Sequence, residues 1–324
     1  MKKIDFSSFL KDELHHFVKL KQSSGSTYSS QAGILLRFDR YLSSLQHTNK
    51  ILTKSIFQNY FNQFTHLHSR TFSNYYSVLH DFSVWLNQQE ANTYVPERRP
   101  AVGRVYSRVP YIFTINEIKN ILKSSNAFSQ RYEFIPGTYQ ILFSLLYISG
   151  IRIGEALSLN YEDYIQDKKL IHIKKGKFRK ERFIVLSDSF QTLFSTYLKN
   201  YKLKLSLNHY SPIFINTRKN RLSYDRVNKA FKKILDKSNI MKSDNGPRIH
   251  DFRHTFAVHR LLNWYKDHKN NLNSKLPYLS TYMGHVNICS TQIYLQCTLE
   301  LLKTGIQRFH QFFINNIYQE GGMP

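Results

Sequence analysis

Four short segments of this chain carry side chains that could take part in phosphoryl transfer. Each segment is a weak signal by itself, because these residue types are common here; 22 tyrosines, for example, occur in 324 residues. Their order and spacing are more informative than any one of them. In chain order the segments are Gly150-Ile-Arg152-Ile-Gly-Glu155, a lysine-rich turn at Lys175, His250-Asp-Phe-Arg253-His254, and Met283-Gly284-His285 with Tyr294 nine residues later.

These residue types suit attack on a phosphodiester by an oxygen nucleophile. Extra negative charge develops on the non-bridging oxygens, and two guanidinium groups can bind those oxygens bidentately. A tyrosine hydroxyl, with a pKa near ~10, must lose its proton to attack, and the departing oxygen must gain one. Histidine and lysine can perform both proton transfers without a metal. No carboxylate cluster suited to two magnesium ions is visible, so we expect neither metal nor cofactor.

The segments resemble the catalytic boxes of a known family. SGIRIGEALSL, KKGKFRKERFIVL, HDFRHTFA and MGHVNICSTQIY are similar to the successive boxes of tyrosine recombinases. That family includes phage integrases, chromosome-dimer resolvases and the integrases of mobile elements. The resemblance covers residues 114 to about 297, and the N-terminal region matches only in placement and helical content. Two departures are small: Met283 stands where leucine is commoner, and the turn after Lys175 is slightly long.

The resemblance implies a role for each box residue. It implies that Arg152 and Arg253 are the two phosphate-binding arginines and that His250 accompanies them. It also implies that Lys175 is the hairpin lysine, His285 the second histidine and Tyr294 the nucleophile. The product of attack would be a covalent 3′-phosphotyrosine.

The supporting residues and one alternative assignment come from the same segments. Because the turn is long, Lys174 and Lys177 are alternatives to Lys175. Glu155 is interpreted as orienting the catalytic groups, and His254 as a hydrogen-bonded structural histidine in support of them. Arg253 lies one helical turn from His250, so both could face one phosphate while Phe252 and Phe256 face the core.

The implied function is a site-specific recombinase or integrase that cleaves and rejoins DNA strands. A DNA-relaxing enzyme like the type IB topoisomerases would use the same nucleophile and arginines, and a catalytically silent DNA-binding protein of the same fold is a further alternative. His250 and His254 also mimic a zinc-protease helix, but the glutamate of that motif is absent and Arg253 would lie beside the metal. Integration, excision, transposition and resolution stay open as biological outcomes.

Composition agrees with a nucleic-acid partner. Lys and Arg number 46 against 22 Asp and Glu, a formal charge of +24, which a polyanionic partner would offset. The two cysteines, Cys289 and Cys297, have no metal-site spacing, and no segment reads as a signal peptide or a membrane span. We therefore expect a reduced, cytoplasmic, nucleoid-associated protein without membrane attachment.

Partners follow from the resemblance. It implies double-stranded DNA with inverted half-sites, a homo-tetramer on synapsed DNA, and in some family members accessory DNA-bending proteins. A last predicted helix, residues 298–317, carries an apolar stripe that must be buried, either on its own domain or on an adjacent subunit.

The elements that must position these residues fall into two predicted domains. Residues 1–92 look helical, with amphipathic segments near 5–20, 28–46, 53–65 and 71–89. Residues 93–110 are proline-containing and basic, and predict a linker lying on DNA through Arg98, Arg99, Arg104 and Arg108. Residues 111–324 predict an α+β catalytic domain.

Within the catalytic domain the pattern predicts four features near the boxes. They are a helix opened by a Thr114–Glu117 capping box and running to about 125, an apolar helix near 137–149, a stop at Gly150, and a hairpin of 170–173 with 183–186. The expected fold is mostly α with a small antiparallel sheet: a helical core-binding domain followed by a tyrosine-recombinase catalytic domain.

Overall fold

The computed structural model describes residues 5–25, 27–45, 49–64, 66, 69–98, 110–132, 137–174, 181–206, 208–240, 246–266 and 272–284. The chain divides into two compact units, Met1–Ser107 and Arg108–Pro324. In the described ranges the secondary structure is mostly helical, with one three-stranded antiparallel sheet. This composition confirms the predicted fold class. None of the described helices is long and apolar enough to cross a bilayer.

The first unit is built from helices around an aromatic core. Its helices are α1 (Lys11–Ser23), α2 (Ser29–Ser43), α3 (Lys54–Asn62) and α4 (Ser69–Asn87). The amphipathic segment predicted near 71–89 lies on α4, and its apolar face belongs to the core. Tyr75, Val78, Phe82 and Leu86 are buried there. Ring contacts between elements hold the unit together, such as Phe17 with Phe82 at a centroid distance of 5.3 Å.

The start of the first unit differs from the prediction. The apolar pattern predicted a helix from residue 5, whereas α1 begins at Lys11. Phe6 and Leu10 are nevertheless buried, so the apolar pattern indicated burial at these positions but not helical structure. The buried carboxylate of Asp39 binds this segment by accepting hydrogen bonds from the backbone N–H groups of Ser7 and Ser8, each at 2.9 Å.

The second unit mixes helices and strands. In chain order its elements are α5 (Ile115–Tyr132), α6 (Thr138–Ser149), α7 (Ile153–Ser158), a 3-10 helix (Tyr161–Asp163), β1 (Tyr164–Ile165), β2 (Leu170–Ile173), β3 (Arg182–Val185), α8 (Asp188–Lys204), α9 (Tyr224–Lys237), α10 (Asp251–Lys266) and α11 (Leu272–Met283). The predicted helix 298–317 lies outside the described residues.

Helix α6 is the centre of the second unit. It is apolar on nearly every face, which is the pattern of a helix surrounded by protein. Its Phe143 packs against Phe231 of α9 and Phe252 of α10, at centroid distances of 5.4 and 5.3 Å. The helices that carry the first and third boxes therefore share one core.

Helix α5 begins with the predicted capping box. Thr114 Oγ1 accepts from the backbone N–H of Glu117 at 3.2 Å, and Glu117 Oε2 accepts from the backbone N–H of Thr114 at 2.7 Å. The helix continues to Tyr132, past the predicted end near 125.

The predicted hairpin is confirmed, and it belongs to a larger sheet. Strands β2 and β3 pair antiparallel from Leu170 opposite Val185 to Ile173 opposite Arg182. Strand β1 adds a third strand that the sequence analysis missed, because two residues are too short for an alternating pattern to be visible. Strands β2 and β3 therefore belong to a three-stranded sheet in the order β1-β2-β3.

Candidate active site

The first box begins where helix α6 ends. Gly150 has φ +60°, the left-handed conformation that commonly terminates a helix. A Cβ at this position would lie 2.3 Å from Cδ1 of Phe256, so glycine is required by both conformation and space. The close approach of Gly150 to α10 brings the first box beside the third.

Arg152 lies at the start of α7, on a backbone turned sharply by Gly150. Its backbone N–H donates to Glu155 Oε2 at 3.0 Å, and its Nη1 donates to Glu155 Oε1 at 2.9 Å. Its Nη2 donates to the carbonyl oxygen of Gly284 at 3.0 Å. The guanidinium therefore contacts the fourth box, 132 residues further along the chain.

Glu155 is the shared acceptor of two arginines. Its carboxylate, 6% exposed, also accepts two hydrogen bonds from Arg182, from Nη2 at 2.7 Å and from Nη1 at 3.2 Å. Burial alone would raise the pKa of Glu155, but the hydrogen bonds and charges of Arg182 and Arg152 outweigh it and lower the pKa. The carboxylate is thus ionised and binds both guanidinium groups.

Arg253 is more deeply placed than the sequence suggested. It is 2% exposed, as buried as the phenylalanines on the same helix, rather than on an open polar face. Its Nη1 donates to the carbonyl of Gly150 and its Nη2 to the carbonyl of Met283, both at 2.6 Å. One guanidinium therefore connects the first, third and fourth boxes.

The end of α11 is the meeting point of these groups. The carbonyls of Met283 and Gly284 accept from Arg253 and Arg152, and Gly284 has φ +68°. A Cβ on Gly284 would lie 3.1 Å from Nη1 of Arg182. Three positively charged side chains thus surround the point from which the chain continues to residue 285.

His250 stands just before α10 in a strongly positive environment. Desolvation by the surrounding protein, and then the charges of Arg253, Arg248 and Arg152, lower the pKa of His250 to about 4. The residue nevertheless remains exposed at the surface. Its ring meets the ring of His254 edge-on at a centroid distance of 4.8 Å. His250 is therefore a neutral imidazole at neutral pH, able to accept a proton.

Lys174 directly follows strand β2 and makes two ion pairs. Its Nζ lies 2.7 Å from Glu162 Oε1 and 2.9 Å from Asp163 Oδ1. Hydrogen bonds to these two carboxylates raise the pKa of Lys174. The ammonium group of Lys174 is thus paired with carboxylates of the 3-10 helix.

Several predicted site residues lie outside the described residues. They are Lys175, Lys177, His285, Tyr294, Arg99, Arg104 and Arg108. Arg98 is described, and its Nη2 donates to Asp81 Oδ1 on α4 at 2.6 Å in an exposed ion pair. The structure thus brings together Arg152, Glu155, His250 and Arg253.

Two arginines that the sequence analysis did not single out support the site. Arg182 binds Glu155 as described above. Arg221 donates from Nη1 to the carbonyls of Leu157 and Leu159 at 2.7 and 3.1 Å, and so caps the carboxyl end of α7. Arg182 lies within the second box but had no role assigned there, and Arg221 has no recognisable spacing to a box. Only the three-dimensional contacts reveal what the two arginines bind.

Within the described ranges, no three side chains of His, Cys, Asp or Glu are grouped closely enough to hold a metal ion.

Comparisons with known proteins show which family the chain resembles. The model of the phage integrase family matches residues 112–300. An integrase/recombinase named y4rE from Sinorhizobium fredii is 27% identical over 305 residues, covering 94% of this chain and 96% of that protein.

Solved structures share the fold. The Tn1549 transposon integrase in complex with a circular intermediate DNA has a TM-score of 0.63 at 17% identity, covering 91% of this chain and 99% of that one. A λ integrase tetramer bound to a Holliday junction has a TM-score of 0.59 at 14% identity, covering 88% and 76%.

The match to the phage integrase family over residues 112–300 defines an enzyme that cleaves and rejoins DNA strands. The chain belongs to the phage integrase family. It is a tyrosine-type site-specific recombinase/integrase acting on DNA.

Proposed function

We propose that Tyr294 cleaves DNA by forming a covalent 3′-phosphotyrosine within the group of residues around the end of α11. One observation carries this proposal: Arg152 and Arg253, from boxes about a hundred residues apart, both donate to carbonyls at Met283 and Gly284. The segment that contains His285 and Tyr294 begins at this point of the chain.

The arginines would stabilise the charge of the transition state. Arg253 is almost fully buried, where a charge is less screened than in water, and Arg152 is partly open to solvent. Their positions are fixed before DNA binds, by backbone carbonyls and by Glu155, so little reorganisation is needed during reaction. Loss of one such donor group typically costs about 10²–10³ in rate.

Proton transfer would use the neutral histidine and a charged lysine. The Tyr294 hydroxyl oxygen attacks phosphorus and its proton passes to His250, which is unprotonated at neutral pH. The bond from phosphorus to the 5′ oxygen breaks, and Lys175 donates a proton to that oxygen. His285 would bind a non-bridging oxygen. Rejoining reverses these steps with a 5′ hydroxyl of the partner strand.

DNA binding would involve both parts of the chain. We propose residues 1–92 as the core-binding domain, 93–110 as a linker along DNA and 111–324 as the catalytic domain. The formal charge of +24 supports many phosphate contacts. Arg99, Arg104 and Arg108 are the proposed linker contacts, whereas Arg98 would first have to exchange its ion pair with Asp81.

The nucleophile can be tested by removing one atom. Tyr294→Phe should abolish covalent protein–DNA adducts on a suicide substrate resolved by denaturing gel, while gel-shift affinity for the uncleaved site stays unchanged. Tyr210→Phe is the matched control, since Tyr210 is an exposed tyrosine of the second unit, and it should form adducts at the wild-type rate. An undiminished adduct yield from Tyr294→Phe would refute the assignment.

Assembly would be a homo-tetramer on two synapsed DNA sites with inverted half-sites. The λ integrase relative is a tetramer on a Holliday junction, which supports this arrangement by fold likeness. The second unit also has an open cavity of about 590 Å³, lined largely by aromatic residues of α6, α10 and α11. Its rim includes the exposed side chains of Val185 and Tyr278. We propose the C-terminal segment of a neighbouring copy as its occupant.

A further inference from the structure

The last strand pair of the β2–β3 hairpin lies next to the turn that carries the proposed catalytic lysine. We call this pair the hairpin base. Ile173 opposite Arg182 is the final pair of the ladder. Lys175 follows Ile173 by two residues. The chain therefore enters and leaves this turn next to the Ile173–Arg182 pair.

The anchor on the β3 side is a buried, two-point ion pair. Arg182 donates from both terminal nitrogens to both oxygens of Glu155, and its side chain is only 12% exposed. Such a paired geometry fixes direction as well as distance. Glu155 is on α7 and also orients Arg152, so the hairpin base and the phosphate-binding arginine share one carboxylate.

The anchor on the β2 side is weaker. Lys174 contacts Glu162 and Asp163, but its side chain is 41% exposed, and an exposed lysine pair contributes little. Arg182 is therefore the dominant connection between the turn and the first box.

Arg182 also lies against the fourth box. Its Nη1 is the atom nearest to a Cβ built on Gly284, at 3.1 Å, so its guanidinium fills the space beside the chain just before His285. Arg182 thus lies between Glu155 and the end of α11.

We infer that Arg182 is a positioning residue of strand cleavage, which sets the place of the turn lysine by fixing the hairpin base to Glu155. This inference rests on the proposed function, in which that lysine protonates the leaving 5′ oxygen. A lysine at position 182 would keep the charge but could not make two parallel bonds, so charge and geometry can be separated.

The experiment compares two suicide substrates, one with a 5′-bridging oxygen and one with a 5′-bridging sulfur. A thiol has a pKa near ~8.5, so a thiolate departs without a donated proton. Single-turnover cleavage should fall about 10²-fold for Arg182→Gln and for Arg182→Lys on the oxygen substrate, the loss typical of a misplaced catalytic group. On the sulfur substrate both variants should approach the wild-type rate, as should Lys175→Ala.

The controls separate positioning from stability and from charge. Lys168→Gln removes one charge from an exposed position of the same sheet and should cleave both substrates normally. Tm and half-site affinity are measured for every variant, because a general loss of folding would lower the rates on both substrates alike.

Each remaining outcome is decisive. Equal losses on both substrates, or rescue of cleavage by Arg182→Lys on the oxygen substrate, would overturn the positioning role while leaving the lysine assignment intact. If sulfur rescues neither Lys175→Ala nor Lys177→Ala, the lysine role in the proposed function is wrong and the inference falls with it.

Discussion

At the residue scale the site is a group of arginine side chains whose guanidinium groups donate to a few hydrogen-bond acceptors. Glu155 and the carbonyls of Gly150, Met283 and Gly284 accept hydrogen bonds from Arg152, Arg182 and Arg253. The positive potential that remains would attract a phosphate. Desolvation, together with this potential, lowers the pKa of the nearby His250 imidazole.

The lowered pKa of His250 predicts a pH dependence of stability. Its pKa is about 4 in the folded chain against 6.5 as the ordinary value, so the unfolded state binds the proton more readily. This contribution to stability is therefore complete above pH 6.5 and is lost as the pH falls toward 4. His250→Gln should lessen the acid destabilisation of the DNA-free protein, measured by urea unfolding between pH 4.5 and 7.5.

The control for this prediction is His209→Gln, a change at an exposed histidine of the same unit that should leave the wild-type profile unaltered. If His250→Gln and wild type lose stability in parallel across the range, the imidazole is not held neutral by its surroundings.

At this scale, the order and spacing of the boxes determined which site residues could be predicted from the sequence. The boxes identified Arg152, Glu155, His250 and Arg253 before any coordinates, because their chemistry and order recur in a family. Arg182 was not identified, since its role depends on a carboxylate 27 residues away on another element. The burial of Arg253 was also not predicted. Helical spacing indicates which face of the helix Arg253 lies on, but not which neighbouring elements cover that face.

At the element scale, two glycines end the helices that carry the site. Gly150 ends α6 and Gly284 ends α11, both in the left-handed region. Both were visible in the sequence, but the steric reason was not. Spacing predicted the stop at Gly150, whereas the contact with Phe256 appears only when α10 is packed against α6. The early start predicted for α1 and the missed strand β1 share this cause, because apolar patterns record burial and short elements leave no pattern.

Gly150→Ala should therefore destabilise the second unit strongly. The left-handed backbone and the contact of 2.3 Å with Phe256 should together cost about 3 kcal/mol or more in the free energy of unfolding. Gly154→Ala is the matched control: it lies in α7 with no atom within 4 Å of the added Cβ, so it should change stability by no more than about 1 kcal/mol.

Urea unfolding of the two variants decides the matter. The Phe256→Leu change in the Gly150→Ala background should recover part of the loss by relieving the contact. Equal stabilities for the two alanine variants would mean that Gly150 is not confined as described.

At the scale of the whole molecule, sequence composition predicted two domains and the structure has two compact units, Met1–Ser107 and Arg108–Pro324. The proposed linker of residues 93–110 falls around this division. Composition could indicate a polyanionic partner through the charge of +24, but it carries no information on DNA sequence or on the number of subunits. Those depend on surfaces, and one such surface can be examined through the C-terminal segment.

The C-terminal segment after Tyr294 has an apolar stripe with helical spacing. Its members are Leu299, Leu302, Ile306, Phe309, Phe313 and Ile317. A stripe of this size is not left in water, and the aromatic cavity beside α11 offers apolar surface that other described elements leave open. Exchange of this segment between neighbours in a ring would link the position of Tyr294 to assembly.

Ending the chain after Thr298 should therefore separate binding from assembly. We expect gel-shift affinity for a single half-site to stay nearly unchanged, while cooperative binding to paired half-sites and recombination collapse. Ending the chain after Tyr318 is the matched control, because it keeps the whole stripe and should behave as the full chain does. Light scattering of the complexes on paired sites gives the number of subunits directly. If the shorter chain instead unfolds or loses single-site binding, the stripe packs on its own domain and the exchange between subunits is wrong.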